Sequence, residues 1–199
     1  MPGLYILPSS WLLDATPEAV WETIASPDMS WPRWWPGCTL QELATDPSAD
    51  PGDPIARLLG TTVRLQFQAA PGYRLSVTIH PTRALRPRSI EFDAGGDLAG
   101  TGRIRLFPVS SPAPAMPAGT AGAQPRIETR PRMETVTRME IDWRVMPTRR
   151  WMQVLTPVAR PVFTAAHALL MRRGERGLRR ELGQAIRRGR PNTVLTPGE

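Results

Sequence analysis

The sequence predicts an α+β domain in which one antiparallel sheet, dry on a single face, is covered by a long C-terminal helix. Two patterns carry this. Five segments after residue 60 alternate apolar and polar side chains with the two-residue period of half-buried strands, and the chain from Arg160 repeats apolar residues every four positions, as an amphipathic helix does. A length of 199 residues, 41% of them hydrophobic, suits one domain with its own core.

The stretch "LDATPEAVWETIASPDMSW" reads as the end of a strand followed by a capped helix. Thr16 can cap it, Pro17 fits the first turn and Glu18 complements the dipole. Ala19, Val20, Thr23 and Ile24 form its inward stripe, and Pro27 ends it. "DMSWPRWWPG" then sets Trp31, Trp34 and Trp35 between prolines, either to anchor a packed turn or to stand at the mouth of a pocket. "TLQELAT" predicts a short strand and "DPSADPGDP" a turn-rich loop.

In the alternating region one face collects Val63, Leu65, Phe67, Tyr73, Leu75, Val77 and Ile79, joined by Ile90, Phe92, Ile104 and Leu106. The other collects Arg64, Gln66, Gln68, Arg74, Ser76, Thr78 and His80, with Glu91, Asp93, Arg103 and Arg105. "TVTRMEIDWRV" adds Thr137, Met139, Ile141, Trp143 and Val145 to the dry face, and Arg138, Glu140, Asp142 and Arg144 to the wet one. Such a sheet is half-buried and charge-paired across strands.

Residues 108–132 are rich in proline, alanine and glycine and have no period, which predicts a loop insertion within a single domain over residues 1–190, followed by a flexible tail at 191–199. In the last helix Val162, Ala166, Leu170, Gly174, Leu178, Leu182 and Ile186 form the inward stripe, flanked by Phe163, Met171 and Ala185. Arginines fill the rest of its circumference, while Gly174 and Gly177 suggest a bend or a close approach.

The net charge of +7 is unevenly placed. Residues 149–190 hold eleven arginines against Glu175 and Glu181, so the basicity belongs to the C-terminal segment. All 25 basic residues are arginine, a uniformity that fits genome-wide codon bias better than a selected binding surface. The helix still offers an anionic partner a landing face, with peripheral contact to an anionic membrane as the alternative to a solvated surface. No aromatic residue follows Phe163, so a base-stacking platform for nucleic acid is missing. No run nears the roughly 18 apolar residues of a membrane span, and the first residues lack signal-peptide features, which places the expected location in the cytoplasm.

A strand, a helix carrying "ATPEAVWETIASPDMSWPRWWPG", strands carrying "GTTVRLQF" and "TRMEIDWRV", and a closing helix together resemble the START-related helix-grip superfamily, in particular SRPBCC proteins of the polyketide cyclase/dehydrase type. The resemblance spans nearly the whole chain, and "PVARPVFTAAHALLMRRGERGL" looks like the terminal helix of actinobacterial members. It implies a curved sheet wrapped around the terminal helix, with an apolar cavity between them for a lipid-like, polyketide-like or aromatic molecule. The residues expected to line it are Leu65, Phe67, Leu75, Val77, Phe92, Leu106, Met139 and Trp143 from the sheet, Leu170 and Met171 from the helix, and Trp34 and Trp35 near the mouth.

Proton-transfer chemistry has few candidates. Tyr73 and Thr137 are the dry face's evident hydroxyls, and no acid alternates into it. His80 falls on the wet face, whereas His167 lies at the edge of the helix stripe and is the best single polar candidate, as a ligand contact, an acid/base in a cyclase or dehydratase, or a packed histidine. Cys38 has no visible partner, neither G-x-S-x-G nor a phosphate-binding G-x-x-x-x-G-K-[ST] occurs, and no metal or cofactor is expected.

Overall fold

Alternation along the chain becomes a sheet because each strand can bury one row of side chains only against a shared cover. The computed structural model describes residues 4–70, 73–110 and 135–188. Its elements run β1 (Tyr5–Leu13), α1 (Pro17–Ile24), α2 (Trp31–Trp34), β2 (Cys38–Thr45), α3 (Pro54–Leu59), β3 (Thr61–Ala70), β4 (Tyr73–Leu85), β5 (Ser89–Gly96), β6 (Leu98–Ser110), β7 (Thr135–Pro147) and α4 (Arg150–Arg188). The seven strands form one antiparallel sheet in the order β1-β7-β6-β5-β4-β3-β2, so β1 and β2 are its edges.

The faces divide as the period dictates. Val63, Leu65, Phe67, Val77, Ile79, Ile90, Phe92, Ile104, Leu106, Met139, Ile141 and Val145 are all buried. On the opposite face Glu42–Arg64, Glu91–Arg103 and Arg105–Glu140 are both register partners and ion pairs, at 3.5, 2.7 and 3.1 Å. These pairs are mostly exposed and contribute little stability each. Their placement on one face fixes register instead. His80 stands on this wet face, its Nδ1 within 3.1 Å of the Thr62 hydroxyl.

Leu170, Gly174, Leu178 and Leu182 of α4 are buried at the expected spacing, while Val162 and Ile186 fall outside the described side chains. Three expectations need correction. The helix begins at Arg150 rather than near Arg160, its ladder continuing through Pro157 and Pro161, residues that on local grounds mark a start. Ala185 is exposed although it stands on the same side of the helix as Gly174 and Leu178, because it falls in the last turn of α4. The Asp/Pro-rich loop ends in a helical turn, α3, with the Asp53 carboxylate accepting from the Ile55 N–H at 2.8 Å and Pro54 at its first position. Of the expected insertion, residues 108–110 continue β6; residues 111–134 and the tail lie outside the described residues.

Candidate ligand cavity

The segment between α1 and β2 is built to hold tryptophans inside. The Thr16 hydroxyl accepts from the Ala19 N–H at 3.2 Å and starts α1, which buries Val20, Trp21 and Ile24. The Trp31 indole N–H donates to the Ile24 carbonyl at 2.9 Å and the Ser30 hydroxyl to the Thr23 carbonyl at 2.6 Å, so α2 is tied back onto the end of α1. Gly37, at φ +82°, turns the chain into β2 with a backbone conformation that side-chain-bearing residues rarely adopt. Trp34 and Trp35 then stack at 5.5 Å between centroids, and Trp35 meets Trp11 edge-on at 5.7 Å and Phe67 at 5.3 Å.

The two glycines of α4 make this arrangement possible. A Cβ on Gly174 would come within 2.6 Å of the Trp35 ring, and one on Gly177 would overlap the Trp34 carbonyl oxygen. The close approach, of the two sequence readings, is the one realised: α4 lies directly on the Trp34–Trp35 turn. Both tryptophans are only 5% exposed, so they stand inside the molecule rather than at an open mouth.

Beneath them a closed gap remains between the tryptophans and the sheet. Ile24, Trp31, Trp34 and Trp35 line one side and Phe92, Ile104, Met139, Ile141 and Trp143 the other, with space of about 10 Å³, the size of a single water probe. Trp143 meets Phe92 edge-on at 5.0 Å. The indole nitrogens of Trp34, Trp35 and Trp143 are buried and have no hydrogen-bond partner. A buried donor left unpaired costs about 1–3 kcal/mol, while the surface that bounds the gap is apolar throughout.

Of the residues expected to bind a ligand, Trp34, Trp35, Phe92, Met139 and Trp143 meet at this gap. Leu65, Phe67, Val77 and Leu106 are buried on the same sheet face, and Leu75 is half-buried, without lining it. Sequence reasoning passed over Ile24, Ile104 and Ile141 as ligand contacts, although each belongs to a stripe or alternation already legible in the chain, and it left Trp31 in the tryptophan segment without assigning it a ligand contact.

The polar candidates stand elsewhere. His167 and Met171 line a second, open groove of about 450 Å³ between α4 and β1, together with Thr164, Arg172 and Glu175. The His167 Nε2 is buried without a partner, and burial lowers the imidazole's pKa from its ordinary value. Tyr73 lies at the start of β4 near Asp97 and Arg149; burial, with the Asp97 charge, raises its pKa. Asp97 accepts from the Ser76 N–H at 2.9 Å and from the Arg149 guanidinium, joining β4 to the β7–α4 junction. Neither His167 nor Tyr73 lines the closed gap. The buried Cys38 thiol is pushed up to about 12 by desolvation, which keeps it protonated and unreactive. Among the described residues, no three His, Cys, Asp or Glu side chains gather as metal ligands would.

With this geometry in place the chain can be set beside known structures. A START superfamily protein from Mycobacterium smegmatis superposes with a TM-score of 0.59 at 12% identity, over 92% of this chain and 99% of that one. The chain has the START-like helix-grip fold. A conserved protein from Geobacillus kaustophilus matches with a TM-score of 0.59 at 13% identity, covering 91% and 97% of the two chains. The Zhui aromatase/cyclase from Streptomyces sp. R1128 matches at 0.52 and 16% identity, covering 95% and 98%. At these identities the likeness is one of fold. No protein-family model and no curated protein sequence matches the chain. Among the described residues no helix is long and apolar enough to cross a membrane.

Proposed function

We propose that the chain, as one domain over residues 1–190, binds a small and mainly hydrophobic molecule between the sheet's dry face and α4. The observation that carries this is an internal gap between the sheet and the tryptophan turn bounded by aromatic rings and aliphatic side chains alone. A predominantly apolar lining is the usual make-up of a small-molecule site. It favours a lipid-like, polyketide-like or aromatic ligand. The gap is closed in the present state, so uptake requires the Trp34–Trp35 turn or α4 to yield. Cyclase or dehydratase chemistry has weaker support, since His167 and Tyr73 do not line the gap. A cytoplasmic location accompanies this reading and is checked by cell fractionation.

Native mass spectrometry of protein purified from its own host tests the proposal: a retained small molecule supports it and identifies its class. In vitro, N-phenyl-1-naphthylamine should bind with a fluorescence rise that Leu170→Arg abolishes in protein still folded by circular dichroism. Trp143→Phe trims the bicyclic indole to a single phenyl ring and so removes part of the gap's wall. It should weaken both a ketone-bearing aromatic probe and a hydrocarbon probe about fivefold. Folded wild-type protein that retains nothing and binds neither probe would overturn the reading.

A further inference from the structure

We propose that the open groove between β1 and α4 is a second binding site, for a small amphipathic anion such as a medium-chain carboxylate. Its space of about 450 Å³ falls within the range of small-molecule pockets, whereas the gap beneath the helix has about 10 Å³. Its wall includes every residue of β1 from Tyr5 to Trp11. Side chains of a strand alternate between faces, so an uninterrupted run means that the groove follows the strand's backbone edge.

That edge explains why a small molecule is the occupant. β1 pairs with β7 on its other side, and no described strand pairs with it here. An open edge invites another strand, but Pro8 stands in the middle of this one without an N–H and interrupts the ladder an added strand would need.

The helix side supplies the chemistry. Leu7 and Ala168, half-buried along the groove, offer an apolar bed, with Trp11 and Met171 buried beneath it. Glu175 is held by Arg179 at 2.8 Å, which leaves Arg172, exposed and without an ion-pair partner among the described residues, as the groove's uncompensated charge. The His167 Nε2 is buried there and unpaired. A carboxylate has two oxygens to share, one for the Arg172 guanidinium and one for an Nε2–H tautomer of His167, while its chain lies along Leu7 and Ala168. Desolvation favours the neutral imidazole, so the site carries one positive charge and one neutral donor. The inference stands apart from the cavity reading, since it uses the other side of α4's contact with the sheet.

Titration of the full chain with decanoate, followed by 1H–15N correlation spectra, tests it. Saturable shifts are expected at the amides of Ile6, Leu7, Ser9 and Ser10 and of residues 164–172. Arg172→Gln, an exposed substitution, should weaken decanoate about fivefold and leave decanol binding unchanged. Ala168→Trp should fill the groove and abolish both. Shifts confined to Ile104, Met139 and Ile141 would place the anion beneath the helix and overturn the groove site while supporting the interior one. Absence of saturation in the millimolar range, or an Arg172→Gln variant that binds decanoate as the wild type does, would overturn it as well.

Discussion

Gly177 shows how a single missing methyl group sets the geometry of this protein. With any Cβ the helix would strike the carbonyl of Trp34, a backbone atom that cannot rotate away. Gly177→Ala is therefore expected to lose about 2–3 kcal/mol in urea denaturation. Gly183, whose nearest neighbour would be the end of the Arg187 side chain at 4.0 Å, serves as its control: Gly183→Ala should be neutral or gain up to about 1 kcal/mol from helix propensity. His167 makes a second prediction at this scale. Its folded pKa lies below the unfolded value of about 6.5, so as pH falls the unfolded chain takes the proton first. Its stabilising contribution is full above that range, declines as pH drops through about 6.5, and levels off below the folded pKa. Denaturation midpoints measured across pH should show this slope in the wild type and a flatter one in His167→Phe.

Between elements, stability rests on a few buried polar joints that no local pattern announces. The Thr137 hydroxyl, wholly buried on β7, donates to the Ala15 carbonyl at 2.6 Å and ties the last strand to the link between β1 and α1. Thr137→Val keeps the shape but leaves that carbonyl unpaired, and a loss of about 1–3 kcal/mol is expected in thermal or urea unfolding. Asp97 is the corresponding joint near the start of α4. Its side chain is 7% exposed while that of its partner Arg149 is 54% exposed. The ion pair alone should therefore matter little, so Arg149→Gln is expected to be nearly neutral. Asp97→Ala, which strands the Ser76 N–H as well, should be clearly destabilising. Equal losses for the two variants would show the ion pair itself to be the stabilising contact.

Taken as one molecule, the protein places opposite demands on α4. One side is committed to the sheet through Leu170, Leu178 and Leu182, and the other exposes Arg176, Arg180 and Arg187. A basic ridge of this kind attracts anionic surfaces at low ionic strength and loses them as salt screens the charge. Replacing Arg176, Arg180 and Arg187 by Gln should leave the melting temperature and hydrophobic-probe uptake unchanged. The same variant should lose whatever sedimentation the wild type shows with phosphatidylglycerol vesicles at low salt. Wild-type sedimentation that is insensitive to salt would rule out the electrostatic account.

The two faces of the sheet, the stripe of α4 from Leu170 to Leu182, the cap at Thr16 and the ion pairs of the wet face all follow from spacing. The physical reason is that alternation and a four-residue repeat are local properties which burial then enforces. The start of α4 at Arg150 and the turn of α3 escaped for the converse reason: prolines and short Asp/Pro runs read locally as breaks, and only the surrounding chain lets the helix continue or close. That Trp34 and Trp35 fill the interior instead of guarding a mouth was decided by the absent side chains of Gly174 and Gly177, far away along the chain. His167 was legible as a residue at the edge of the helix stripe. Its neighbours along β1 were not, because an edge strand and a helix meet through the sheet's order, with β1 brought beside β7 and under α4, and sequence spacing carries no information about that pairing.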